Sequence, residues 1–444
     1  MFEKTAAETA ARVMQLLTDP VMTREKSAGW DLEGNPFNEM GFPAWEPLTL
    51  DRGLAGLAVM FHMSGSQDPH RIHHAHSYLA EMVRECKGRK QTIGGLYFGV
   101  GALAFATSLA YEVTGGYKQA LGSLDNKVRT EVGVMMGLST PGQPAHYMGE
   151  YDVISGLTGL GRYLLARGGD CLPALQRVLV HLAGLARPIS HAGQSVPGLW
   201  VEGAPVRDTG PLPEYEQGHL NLGLAHGIAG PLALLSAAWA SGVRVEGHQE
   251  AIDEIATLLI RWRAKDAQGF YWPTAVTIDD WEAGTLLNTK RQRPGWCYGT
   301  PGVARALQLA GLALDRPEWC DVARDSLLSQ LAIPYAEWGV VDSGLCHGWA
   351  GNLIILQTVN ADMQDERITR AIDDIAGIIV ADYSEECAFG FRSPVRLGLG
   401  RGGRTDGFAD YPGLLTGAAG IVLALEAYAN PRTNRSWVRS LLLA

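Results

Sequence analysis

Three side chains with soft or borderline donor atoms recur at one place in a repeated turn. Cys297 stands in Pro294-Gly295-Trp296-Cys297-Tyr298-Gly299-Thr300-Pro301-Gly302, and the pair Cys346-His347 in Leu345-Cys346-His347-Gly348-Trp349-Ala350-Gly351. Each cysteine lies two residues before a Gly-x-x-Gly turn that opens an apolar run, where a helix N-terminus favours the thiolate. Three protein ligands with a vacant position are the usual pattern of a catalytic zinc site, whereas structural sites are closed by four. A lone cysteine is more often an inert core residue. Two at equivalent repeat positions, one joined to histidine, favour a metal site holding one Zn2+ through Cys297, Cys346 and His347.

Aligning the turns places further chemistry at the same level. His226 precedes Gly227 as Tyr298 precedes Gly299 and His347 precedes Gly348. A lone histidine is usually a hydrogen-bonded core residue, but one beside a metal site is suited to acid/base work. Asp152, in Tyr151-Asp152-Val153-Ile154-Ser155-Gly156, either caps the following helix or orients His226. Arg293, four residues before Cys297, either holds an anion or anchors a loop.

Other patterns carry less. His70, His73, His74 and His76 have metal-like helical spacing, but lie on an amphipathic segment and read as a solvated face. Gly398-Leu399-Gly400-Arg401-Gly402-Gly403 matches G-x-G-x-x-G formally, yet follows no convincing strand and opens no helix, so a dinucleotide site fails.

The elements that must position these residues follow from an internal repeat. A Gly-x-x-Gly/Ala turn followed by small apolar residues begins at Gly53, Gly99, Gly156, Gly227, Gly299, Gly348 and Gly417, at spacings of 46, 57, 71, 72, 49 and 69 residues. Between the turns lie amphipathic segments, at about 5–18, 70–86, 119–136, 171–185, 248–264, 317–332 and 366–381, with apolar residues at i, i+3 and i+4. A helix that is apolar all round must be buried on most faces. Seven such helices, each preceded by an amphipathic one, predict an all-α fold: an α/α toroid with a double ring of seven inner and seven outer helices. An open solenoid would need polar caps and more regular repeats. Residues 1–444 are expected to form a single domain, with long Pro-, Gly- and Trp-rich loops at about 186–219, 265–296 and 383–414. Such loops are where binding surfaces usually lie.

Composition bounds the class. Apolar residues make up 46% of the 444, enough for a large core, and the 54 glycines exceed the usual share of ~7% without a Gly-X-Y period. A net charge of −10 argues against nucleic-acid binding. Met1–Leu17 lacks the basic and apolar regions of a signal peptide, and the longest apolar tract, Leu220–Ala240, is broken by His226, glycines and Pro231, so no transmembrane segment is expected. The six scattered cysteines suit thiols or metal ligands rather than disulfides.

The stretches around Asp152, Gly223-Leu224-Ala225-His226-Gly227, Trp296-Cys297-Tyr298-Gly299 and Cys346-His347-Gly348 together resemble the lanthionine synthetase C (LanC) family, cyclases of lanthipeptide biosynthesis. The family's fold is an α/α toroid. The resemblance implies a zinc ion on Cys297, Cys346 and His347 that acidifies a substrate cysteine. Its thiolate adds to dehydroalanine or dehydrobutyrine in the same peptide, an intramolecular Michael addition that closes a lanthionine or methyllanthionine ring. It further implies that His226 protonates the enolate or helps remove the thiol proton, that Asp152 pairs with His226, that Arg293 supports the site or the enolate, and that Tyr298 lies close by. The implied partners are a dehydrated precursor peptide with its leader, a separate dehydratase and a transporter. The implied location is cytoplasmic, peripheral to the membrane through partner proteins. Two alternatives stand beside this: a LanC-like enzyme that adds glutathione or another thiol to dehydroamino acids, and a non-catalytic peptide-binding toroid with a structural zinc. A zinc prenyltransferase is disfavoured because no basic diphosphate pocket is visible.

Overall fold

The computed structural model describes residues 1–28, 44–65, 68–87, 94–138, 142–205, 212–397 and 404–444, so the glycine-rich run at 398–403 lies outside the described residues. Among the described residues, seven helices are apolar and largely buried: α3 (Leu54–Gly65), α5 (Gly99–Thr114), α7 (Leu157–Arg167), α9 (Ala229–Ala240), α12 (Thr300–Leu314), α14 (Trp349–Met363) and α16 (Ala418–Ala429). Every residue of α3 is buried. Seven others bury one face: α1 (Glu3–Leu16), α4 (Pro69–Lys87), α6 (Lys118–Met136), α8 (Leu172–Leu185), α10 (His248–Arg261), α13 (Pro317–Leu331) and α15 (Glu366–Ala381). In α10, for example, Ala251, Ile252, Ile255, Ala256 and Leu259 face the core while Glu250 and Glu254 are exposed. Among the described residues, two short helices, α2 (Pro20–Ala28) and α11 (Ile278–Ala283), lie outside this scheme.

Each inner helix touches the next around the ring, and α16 touches α3, so the ring is closed and the open solenoid is excluded. The pairing of helices differs from the expected order. Each of the first six inner helices packs on the outer helix that follows it more than on the one before, because links as short as residues 315–316 and 364–365 force antiparallel neighbours. The leftover first helix, α1, packs across on the last inner helix, α16, and so joins the two ends of the chain.

A circle of backbone hydrogen bonds sets the level of the turns. Leu50 N–H donates to Tyr97 O (2.9 Å), Tyr97 to Ile154 O (3.2 Å), Val153 to Ala225 O (3.0 Å), and Leu224 to Cys297 O (3.0 Å). Trp296 and Cys297 donate to Cys346 O (3.0 and 3.1 Å), Cys346 to Leu415 O (2.8 Å), and Leu414 returns to Leu50 O (3.4 Å). Turns this close leave no room for side chains at one position. A Cβ on Gly413 would sit 1.8 Å from the Asp51 carbonyl oxygen, and one on Gly295 3.0 Å from His347 Cα.

The long loops and their flanks carry, among the described residues, four two-stranded antiparallel sheets. These pair β1 (Pro188–His191) with β2 (Gln194–Pro197), β3 (His219–Asn221) with β6 (Ala275–Thr277), β4 (Ala264–Asp266) with β5 (Gly269–Tyr271), and β7 (Ser393–Leu397) with β8 (Arg404–Ala409). Residues 436–444 run through the middle of the ring. Tyr97 Oη, Trp296 Nε1 and Arg305 Nε donate to the carbonyls of Ser440, Leu441 and Leu443 (2.9, 2.8 and 2.8 Å), and Arg162 Nε to that of Ala444 (2.9 Å). No helix among the described residues is long and apolar enough to cross a membrane.

Candidate active site

Because the −2 and −1 residues of each turn are held by the backbone circle, the side chains of turns four, five and six converge on one mouth of the ring. The donor atoms of Cys297, Cys346 and His347 all lie within 4.8 Å of one another, and form the one such His/Cys/Asp/Glu group among the described residues. Tetrahedral zinc, with Zn–S near ~2.3 Å and Zn–N near ~2.0–2.1 Å, needs donors just under ~4 Å apart. Two thiols and an imidazole gathered within 4.8 Å fit zinc in donor type, and a bound ion would draw them slightly closer. The cysteine pair shares a hydrogen bond. That bond from Cys346 holds the Cys297 thiol well below its usual range against the cost of burial, with help from His347, and pushes Cys346 well above it. Burial disfavours charge on His347, but the Cys297 thiolate outweighs it and raises the imidazole.

Two residues that the sequence reading missed support these ligands. Asp342 is buried; its Oδ1 accepts from Gly344 N–H (2.8 Å) and its Oδ2 lies 3.6 Å from His347 Nε2. That ring nitrogen faces the carboxylate, the usual outer partner of a metal-binding histidine. Asn352, buried in α14, donates from Nδ2 to Pro294 O (3.1 Å) and Gly348 O (2.9 Å), clamping together the two turns that carry the ligands.

Of the two tasks left open by the sequence, Asp152 orients His226; α7 has Gly156 at its N-cap with no side-chain cap, and Asp152 instead closes the turn before it. Its Oδ1 accepts from Ser155 and Gly156 N–H (2.7 and 2.8 Å) at the start of α7, and its Oδ2 lies 2.5 Å from His226 Nδ1. The carboxylate is 2% exposed and the imidazole 33%. Burial opposes charge on His226, yet the Asp152 carboxylate and its hydrogen bond prevail and raise its pKa. The Tyr298 ring lies 6.4 Å from the His226 ring, and its hydroxyl accepts from Asn221 Nδ2 at 3.2 Å. Burial raises the Tyr298 pKa and keeps the phenol protonated. Arg293 is half-buried beside His347, where its charge opposes protonation of that imidazole.

Six of the seven residues singled out in the sequence therefore meet at one mouth, and the charge of the seventh, Arg293, is felt there by His347. The histidines His70, His73, His74 and His76 do not meet there; they lie on α4, three exposed and one half-buried, and His76 Nδ1 is 2.7 Å from Tyr117 Oη. Asp342 and Asn221 had a legible signal: Asp342-Ser343-Gly344-Leu345-Cys346-His347-Gly348 and Asn221-Leu222-Gly223-Leu224-Ala225-His226-Gly227 align position by position once the repeat register is carried further upstream.

Comparison with known proteins bears on the family and the fold. The nisin biosynthesis protein NisC of Lactococcus lactis subsp. lactis is 24% identical over 427 residues, covering 94% of this chain and 93% of that one. The solved structure of a nisin cyclase superposes with a TM-score of 0.76 at 22% identity, over 92% of this chain and 95% of that chain, and so shares the fold. Residues 44–443 match the family model described as lanthionine synthetase C-like protein, and the chain belongs to that family.

Proposed function

We infer that this chain is a lanthionine-forming cyclase that depends on zinc. It joins cysteine thiols of a dehydrated precursor peptide to dehydroalanine or dehydrobutyrine residues of the same peptide. The observation that carries this reading is the gathering of Cys297, Cys346 and His347 within 4.8 Å on the mouth that also holds the Asp152–His226 pair. When bound there, zinc supplies acidification of a thiol at its fourth position, since coordination deprotonates a group whose free pKa is ~8.5.

The chain's own residues supply the rest. In the addition a sulfur lone pair forms the C–S bond at the β-carbon, the Cα=Cβ pair moves toward the carbonyl as an enolate, and a proton arrives at Cα. Nothing leaves. His226 Nδ1 is engaged by Asp152, so Nε2 is the nitrogen that carries a proton to or from the substrate. The buried carboxylate stabilises the imidazolium and fixes the ring's orientation. The Arg293 guanidinium supports negative charge developing on the enolate oxygen. The same reading takes residues 1–444 as one toroid unit, acting in the cytoplasm on a leader-bearing peptide, after a separate dehydratase and before a transporter, with attachment to the membrane through those partners.

The test is to incubate a dehydrated, cysteine-containing precursor with the protein and to count free thiols by alkylation and mass spectrometry. The expected result is loss of one alkylatable thiol per ring at unchanged peptide mass, with added glutathione making no difference. Thiols lost equally fast without the protein overturn the reading. A mass gain of one glutathione points instead to intermolecular thiol addition.

A further inference from the structure

We propose that Asn221 fixes Tyr298 as a hydrogen-bond donor to the carbonyl oxygen of the acceptor dehydroamino acid; this rests on the cyclase reading above. Asn221 is fully buried on β3, where its strand register opposite Ala275 holds its backbone. Its two side-chain ends are told apart by one neighbour. Oδ1 lies 2.9 Å from Gly223 N, and a backbone N–H can only donate, so the carboxamide oxygen must face Gly223. Nδ2 therefore faces the other way, toward Tyr298 Oη at 3.2 Å and Met148 Sδ at 3.0 Å. An NH2 group has no acceptor capacity, so the phenol oxygen accepts this bond. Its own proton is left to point elsewhere, on the mouth that holds His226.

The ring cannot easily swing out of this arrangement. A Cβ on Gly223 would meet Tyr298 Cδ1 at 2.6 Å and Cys297 O at 2.6 Å, so the phenol ring is seated in the slot that the missing side chain leaves. The Leu224 N–H bond to Cys297 O (3.0 Å) locks turn four onto turn five at the same place. Asn221 is thus a positioning residue and Tyr298 the group that touches substrate. As thiolate adds at the β-carbon, the substrate carbonyl oxygen gains negative charge. A fixed donor aimed at such an oxygen is worth about 10²–10³ in kcat.

The discriminating substitution is Asn221→Asp. It keeps the acceptor for Gly223 but turns the second end into an acceptor, which takes the phenol proton. The backbone tolerates aspartate in this setting, since Asp342 accepts from Gly344 N–H at the corresponding place in turn six (2.8 Å). The experiment measures kcat, KM and zinc per chain for wild type, Asn221→Asp, Tyr298→Phe and the double variant on one dehydrated peptide. Each single change is expected to lower kcat about 10²-fold with KM and zinc content unchanged, and the double variant to be no slower than the slower single. Wild-type kcat in Asn221→Asp, a double variant slowed by the product of the two singles, or loss of zinc from Asn221→Asp overturns the proposal. If Asn221→Asp does not fold, Asn221→Ala is judged by the same cycle with Tyr298→Phe. A wild type that closes no rings refutes the cyclase reading itself, and is thereby distinguished from failure of the Asn221 assignment.

Discussion

Turns four to six and turns seven, one and two occupy opposite arcs of a single hydrogen-bonded circle, yet only one arc presents side chains poised for chemistry. At the two places before the glycine, the first arc carries Ala225-His226, Cys297-Tyr298 and Cys346-His347, and the second Leu415-Thr416, Asp51-Arg52 and Tyr97-Phe98. Polar groups on the second arc satisfy one another. Thr416 Oγ1 donates to Asp51 Oδ1 (3.1 Å), Arg52 Nε donates to Asp51 Oδ2 (3.1 Å), and the buried Tyr97 hydroxyl donates to Ser440 O (2.9 Å). On the first arc the donor atoms of Cys297, Cys346 and His347 gather on one another instead, on the mouth that also holds the Asp152–His226 pair. The backbone frame and the chemistry are therefore separable. The circle makes the positions equivalent, and side-chain identity alone decides which arc reacts.

The comparison breaks most visibly at the cysteines. Cys297→Ala and Cys346→Ala are each expected to take bound zinc from one per chain to none and ring closure to the uncatalysed rate. Thr416→Val, at the place on the quiet arc that matches His347, should keep the metal and a rate within about twofold, as for a polar change of under ~1 kcal/mol. Elemental analysis and the thiol-alkylation assay read both. A smaller effect is expected from the proton-transfer pair. His226→Ala should lower kcat about 10²–10⁴-fold with zinc retained. Asp152 raises the His226 pKa, so His226 acting as the acid stays protonated to higher pH, and activity falls as pH rises through that raised value. Asp152→Asn removes the raising charge and should move this falling limb to lower pH. A limb that stays in place would assign it to another group.

The frame itself is probed on the quiet arc. Gly413→Ala forces a Cβ to within 1.8 Å of Asp51 O and is expected to cost at least ~2 kcal/mol in urea unfolding, measured on the purified chain. Least of all, and alike on both arcs, acid should act through two buried neutral histidines, His62 on α3 and His219 on β3. Burial lowers each to about 4. The unfolded chain binds their protons first, so stability should be intact above ~6.5 and fall toward pH 4, by roughly 1–3 kcal/mol for each. His62→Gln and His219→Gln should flatten that slope in urea titrations at stepped pH.

Much of this frame was legible because its period is carried by glycine. Wherever backbones must approach as closely as Gly413 and Asp51 do, no other residue fits, so the turns mark the repeat in the sequence. The amphipathic runs between them located the outer helices to within a few residues; α10 ends at Arg261 where a run to 264 was expected. The partnering of α1 with α16 was not legible, since nothing local distinguishes a helix packing forward from one packing back. The short strands in the loops span only three to six residues each, too few to show alternation against proline and glycine. Asn352 carries no motif of its own, and its role depends on where Pro294 and Gly348 meet in space. The place of residues 436–444 was not legible either, since only the ring around them makes them a filler of its middle.

The central claim is that Cys297, Cys346 and His347 hold a metal with a position left vacant for the substrate thiol. Replacing zinc with cobalt and adding a dehydrated peptide that retains one cysteine tests it most directly. The expected result is a rise in the sulfur-to-cobalt absorption band and a shift of the visible bands toward a three-thiolate pattern, absent with the Cys→Ser peptide and absent in Cys297→Ala. A cobalt spectrum indifferent to the cysteine peptide, with four protein-derived ligands already in place, would contradict the account.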